Sequence, residues 1–191
     1  TASNQNSAVV CGTNNTASGI SALVANGYGN FATGNFSSVL GGAFGTTRSI
    51  VGYVVAPAST NPISATAGVQ QSALLVLGVQ TTDATATVLR SNSSAASTTN
   101  QVILPNNSAY YFKGSVIANV TGAANGASWS FEGAIMRGAN AASTALVGTP
   151  TVTSSFADAG ASTWAIAVTA DTTNGGIRVT FTGQAATTIR T

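Results

Sequence analysis

The sequence has no histidine, one cysteine, one lysine and one glutamate, and charged residues make up only 5% of its 191 positions. Soluble domains usually carry about 25%. Without histidine there is no His-based catalytic triad, no His metal site and no imidazole pH switch. Cys11 stands alone, so no disulfide can close within one chain. Six Lys and Arg residues spread over the whole length do not form the dense basic face of a nucleic-acid binder. The surplus of +2 is too small to mark a basic patch. Nor is there an apolar run long enough to span a membrane as a helix, or a basic segment followed by an apolar one at the start, as in a secretory signal. A start at Thr1 rather than Met is expected of a fragment or processed product.

What is present is small and neutral. Ala, Ser, Thr, Gly and Asn dominate, yet 44% of residues are hydrophobic. Such a chain is too apolar and too weakly charged for a disordered segment. It is long enough for one domain or two small ones.

The first 45 residues repeat with a period of fifteen. Thr1-Ala2-Ser3, Thr16-Ala17-Ser18 and Phe31-Ala32-Thr33 align. So do Val9, Val24 and Val39, and so do Gly12, Gly27 and Gly42; Asn15 and Asn30 precede the second and third copies. Each copy holds a short apolar run followed by glycine, as a coil of a β-solenoid requires: two short strands and two tight turns. Val9, Val24, Val39 and Cys11 are the candidate core or subunit-axis positions of the repeat. The apolar stripe is narrow and three coils bury little. Such a stack is expected either to continue upstream or to pack on other copies of itself.

These repeats resemble the head repeats of trimeric bacterial autotransporter adhesins. They are also similar to the Thr-Ala-Ser-Gly repeats in stalks of bacteriophage and large-virus fibre proteins. The resemblance covers about a quarter of the chain and implies coils that trimerise side by side.

Downstream the pattern changes. Ile50–Val55 reads as one strand. Pro57 and Pro62 then interrupt an Ala/Ser/Thr/Asn stretch, which suggests a linker over 57–72 between a stalk (1–56) and a second module (73–191). There the alternation has period two, the mark of half-buried strands. Trp129, Phe131, Gly133 and Ile135 share one parity. Trp164, Ile166 and Val168 share another, as do Ile177, Val179 and Phe181. Further runs fall at Leu74–Gln80, Thr85–Arg90, Gln101–Leu104 and Tyr110–Val120. Turn signals lie at 105–107, 122–126, 138–140 and 174–176, and Asn174-Gly175-Gly176 is expected to close a hairpin. The expected architecture is all-β, a short solenoid stalk followed by an antiparallel, jelly-roll-like sandwich. This order of strands resembles the C-terminal β-domains of phage tail fibres. The two resemblances together imply a homotrimeric fibre with a globular head on a virion or cell surface.

Candidate sites are few. Trp129 and Trp164 suit sugar stacking, but their parity favours the core. Tyr110, Tyr111 and Phe112 are consecutive, so at least one ring faces outward; Tyr110, Tyr111 and Arg137 are the candidate receptor contacts. Glu132 with Arg137, and Asp171 with Arg178, are candidate ion pairs. The four carboxylates show no paired-acid spacing and no D-x-D cluster. Lys113 follows no phosphate-binding Gly-rich loop. Neither a metal nor a cofactor is expected. Sequons at Asn14, Asn35, Asn92, Asn106 and Asn119 are as many as chance gives in so Asn- and Ser/Thr-rich a chain. The expected function is structural and receptor-binding, without catalysis, nucleic-acid binding or membrane insertion; a cell-surface glycan is one candidate receptor. The alternatives are a chaperone-type C-terminal fragment released from a phage spike, a glycan-degrading tailspike fragment, and a capsid or decoration protein.

Overall fold

The computed structural model describes residues 1–59, 62–122 and 125–191. Positions 60–61 of the expected linker and 123–124 of the expected turn at 122–126 lie outside the described residues. Among the described residues the chain is all-β, apart from two single-turn 3-10 segments at Ala141–Ser143 and Ala159–Ala161. It forms two compact units. One is Thr1–Val76 with Thr98–Ile103; the other is Leu77–Ser97 with Leu104–Thr191.

Along the chain, the first unit carries β1 (Ala8–Val9), β2 (Thr16–Ala17), β3 (Leu23–Val24), β4 (Phe31–Ala32), β5 (Ser38–Val39), β6 (Val54–Pro57) and β7 (Gln71–Leu74). The second contributes β8 (Gln80–Thr81) and β9 (Thr87–Val88), after which β10 (Val102–Ile103) falls in the first. The second unit then holds β11 (Ser108–Val120), β12 (Gly126–Arg137), β13 (Thr144–Ala157), β14 (Ala165–Asp171), β15 (Gly176–Thr182) and β16 (Ile189–Arg190).

In the first unit the short strands pair in parallel. Ala8 lies beside Leu23 and Leu23 beside Ser38, each fifteen residues on. Thr16 lies likewise beside Phe31. β6 extends the ladder with a one-residue insertion, Ser38 beside Val54, and β7 closes it antiparallel to β6. Gly12, Gly27 and Gly42 turn the chain at φ 94°, 103° and 81°. A Cβ on Gly12 would stand 2.1 Å from the carbonyl oxygen of Gly27, so only glycine fits both the dihedral and the space. The core is made of small side chains: Ala17, Val24, Ala32, Val39, Ile50 and Val55 are fully covered, and Val9 packs against them half-buried. The strand expected over Ile50–Val55 starts later, at Val54. Arg48 (φ 52°), Ser49 (φ 59°) and Gly52 (φ 72°) are left-handed and cannot belong to an extended run.

The second unit is antiparallel. One sheet runs β13-β12-β11-β16-β8, and β14 pairs with β15, which pairs with β9. The expected hairpin is present, with Asp171 beside Gly176 and Gly175 at φ 81°. Phe181 of β15 is fully buried between two edge-on tryptophans, Trp129 of β12 at 6.0 Å and Trp164 at 6.1 Å. Both indoles are thus core groups, and Trp164 Nε1 donates to Gln184 Oε1. Aromatic packing of this kind adds about 0.5–1.5 kcal/mol per pair beyond area burial. β13 has no counterpart among the expected strands. Its segment 151–157 is exposed on both faces. Among the described residues, no helix is long and apolar enough to cross a membrane.

Candidate functional site

β11 and β12 pair over twelve rungs, from Ser108 beside Arg137 to Asn119 beside Gly126. Alternation therefore splits the three consecutive aromatics. Tyr111 stands outward, 67% exposed, while Tyr110 and Phe112 turn to the opposite face and are half-buried. The same alternation sends Lys113, Ser115 and Ile117 outward. Lys113 lies directly opposite Glu132, and Ser115 opposite Ser130. β13 adds Thr151 beside Glu132 and Thr153 beside Ser130. Lys113, Ser115, Ser130, Glu132, Thr151 and Thr153, together with Gly114 and Phe131, line a shallow depression of about 520 Å³.

The Tyr111 hydroxyl donates to Glu132 Oε2 at 2.7 Å. That bond fixes the exposed ring beside the depression. It also raises the tyrosine pKa above its ordinary value, because the hydrogen bond to the Glu132 carboxylate holds the phenol proton; slight desolvation and the nearby negative charge act in the same direction. The bond leaves Glu132 Oε1 and the Lys113 ammonium as strong polar groups beside a row of hydroxyls. This combination suits a neutral polyhydroxylated ligand, for which an aromatic face and bidirectional hydrogen bonding are both useful.

On the opposite face, aromatic rings pack over glycines. Phe131 sits over Gly114, where a Cβ would meet its Cζ at 2.4 Å; Phe112 sits over Gly133, with the corresponding distance 2.8 Å. Each ring thus covers the glycine directly across the ladder, and the two rings meet at 6.2 Å.

The other candidate residues have different tasks. Arg137 is not an outward contact: its Nη1 donates to the carbonyls of Leu104 (2.7 Å) and Gly175 (3.3 Å). Glu132 and Arg137 do not pair, since five positions along one strand put them on opposite faces. Asp171 is buried and turned over its own hairpin. Its Oδ1 accepts from the amides of Thr173 and Asn174, and its Oδ2 from the Asn174 side chain. Arg178 lies exposed two rungs along, opposite Thr169. Val24 and Val39 are core and Val9 is at the rim. Cys11 is exposed, its Sγ 3.4 Å from the Ala25 carbonyl. Among the described residues no group of three or more His, Cys, Asp or Glu could hold a metal ion.

The Lys113–Glu132 juxtaposition escaped the sequence reading, although period two and a hairpin register would have placed the two together. Thr151 and Thr153 had no comparable signal, because the 151–157 half of β13 has no buried face to impose a pattern. No protein-family model, curated protein or solved structure matches the chain.

Proposed function

We propose that this chain is a structural and host-receptor-binding module of a homotrimeric fibre or spike on a virion surface. In this reading the first unit is a stack of solenoid coils that forms a stalk, and the second is a two-sheet sandwich that forms the head. The observation that carries the proposal is the contrast between the two. The first unit stacks short strands in parallel at a fifteen-residue offset over a core too thin to stand well alone. The second presents an open sheet face with an anchored, exposed Tyr111. Weak contacts at three such faces would add by avidity.

The test is binding. The protein is applied to arrayed neutral glycans and to candidate host cells, alongside Tyr111→Ala and Glu132→Ala. Exposed aromatic anchors of this kind are worth about 2 kcal/mol or more when truncated. Tyr111→Ala is therefore expected to weaken retention by roughly thirtyfold, multiplied further by avidity. Equal retention of the wild type and both variants would remove Tyr111 from the contact. Loss of polysaccharide chain length during incubation would favour a degrading enzyme instead.

A further inference from the structure

Three Asn-Gly dipeptides occur in the chain: Asn26-Gly27, Asn125-Gly126 and Asn174-Gly175. Such a pair can close on itself. The glycine amide nitrogen attacks the asparagine Cγ, and the missing Cβ removes the usual steric obstacle. The structure gives the three pairs different surroundings. Gly175 is buried, and its amide donates to the backbone carbonyl of Asp171 at 2.7 Å, a group too weakly basic to take the proton. The Asn174 carboxamide is tied as well, through Nδ2 to Asp171 Oδ2 at 2.9 Å. Asn26 is exposed, but Asp83, Glu132, Asp158 and Asp171, the four carboxylates of the chain, all belong to the second unit, so its own unit offers it no base.

Asn125-Gly126 differs from both. The Gly126 amide donates to Asp158 Oδ2 at 2.8 Å. That bond joins the first residue of β12 to the residue that follows β13. Asp158 is exposed and Asn125 only half-buried, so water reaches the pair. The Asn125 side chain turns to the same place. A Cβ on Gly160 would stand 2.5 Å from its Oδ1 and 2.6 Å from both Cγ and Nδ2. The carboxamide therefore lies face-on against Gly160, in space that only a glycine leaves. Electrophile, nucleophile and carboxylate meet at one turn of the chain.

We infer that Asn125-Gly126 is a self-modifying site, a deamidation site with Asp158 as its base. Asp158 Oδ2 takes the Gly126 amide proton as the nitrogen bonds to Asn125 Cγ. The Cγ–Nδ2 bond breaks, the proton passes to the departing nitrogen, and ammonia leaves. Water then opens the cyclic imide at either carbonyl, giving aspartate or its β-linked isomer. The sum is amide plus water to carboxylic acid plus ammonia, with nothing oxidised or reduced. Each event adds one negative charge to a chain whose net charge is +2, and it places that charge near Asp158.

The test ages the full chain at neutral pH and follows the three dipeptides by peptide mapping with mass spectrometry, with the β-linked product scored by enzymatic methyl labelling. Asn125 is expected to convert at least roughly tenfold faster than Asn26, since a positioned base contributes about 10²–10⁴-fold. Asn174 is expected to be the slowest. Asp158→Asn keeps an acceptor for the Gly126 amide but no base. It is expected to slow Asn125 by a similar factor and to leave Asn26 unchanged. The comparison among the three sites uses the wild type alone, so it stands even where the variant misfolds. Conversion of Asn125 no faster than Asn26 would overturn the assignment. So would an equal or faster rate at Asn125 in folded Asp158→Asn, which would make the Asp158 bond a restraint and not a base.

Discussion

The side-chain oxygen of Asn15 accepts the backbone amide of Asn30 at 3.0 Å, one fifteen-residue step along the chain. Asn30 then does the same for Gly45 at 2.7 Å. Each asparagine also donates from Nδ2 to two carbonyls, Asn15 to Cys11 and Gly27, and Asn30 to Asn26 and Gly42. Both side chains are buried. The amide group thus ties neighbouring turns of chain where water cannot.

Asn30→Ala strands the Gly45 amide and the Asn26 carbonyl, while the Gly42 carbonyl keeps its bond from the Tyr28 amide. At about 1–3 kcal/mol for each buried group left unsatisfied, partly relieved by relaxation, the expected loss is about 2–4 kcal/mol. Denaturant unfolding at fixed protein concentration measures it. A change below about 0.5 kcal/mol would show that these bonds are readily replaced.

A second side chain completes the adjacent ladder. Thr46 bridges Phe31 in parallel, and beyond it the Gln71 amide takes the place of a strand. Its Oε1 accepts from Thr46 N at 3.0 Å, and its Nε2 donates to Thr46 O at 3.1 Å. Gln71→Ala is expected to cost about 1–2 kcal/mol and to speed exchange of the Thr46 amide. Gln71→Glu keeps the acceptor but removes the donor, so it is expected to retain protection of that amide better than alanine. Unchanged exchange in Gln71→Ala would contradict the capping role.

Tyr111 gives a pH signature. Its folded-state pKa is raised, chiefly by the hydrogen bond to Glu132. The stability this contributes is present below the ordinary tyrosine range and is lost as pH rises through the raised value. Tyrosinate absorbance, with Tyr111→Phe as the subtraction, is expected to place this residue above an ordinary tyrosine. Glu132→Gln is expected to move it down. A Tyr111 that titrates identically in wild type and Glu132→Gln would show that the bond does not persist in solution.

Legibility in the sequence followed burial. β11, β12, β14 and β15 could be read because one face of each meets the core, so Val116, Trp129, Ile166 and Phe181 impose period two. The 174–176 turn was legible from its asparagine and glycines. The step from β5 to β6 was hidden, since one inserted residue breaks the period of fifteen while the parallel pairing continues. The turn at Arg48–Gly52 was hidden because left-handed Arg and Ser carry no compositional mark. β13 was invisible because its second half, 151–157, is exposed on both faces and only Thr144 of the strand is fully buried. At the site, Tyr111 was identified as a candidate but not separable from Tyr110 before the register was known. Glu132 with Arg137, and Asp171 with Arg178, looked like ion pairs because sequence proximity says nothing of which face a side chain takes, or of the carbonyls and amides it reaches.

The most direct test of the account is the mass in solution, by light scattering or sedimentation equilibrium, before and after heating in detergent. The account predicts a mass near three times 18.7 kDa, retained in detergent until heated. A mass of 18.7 kDa at every concentration would contradict it.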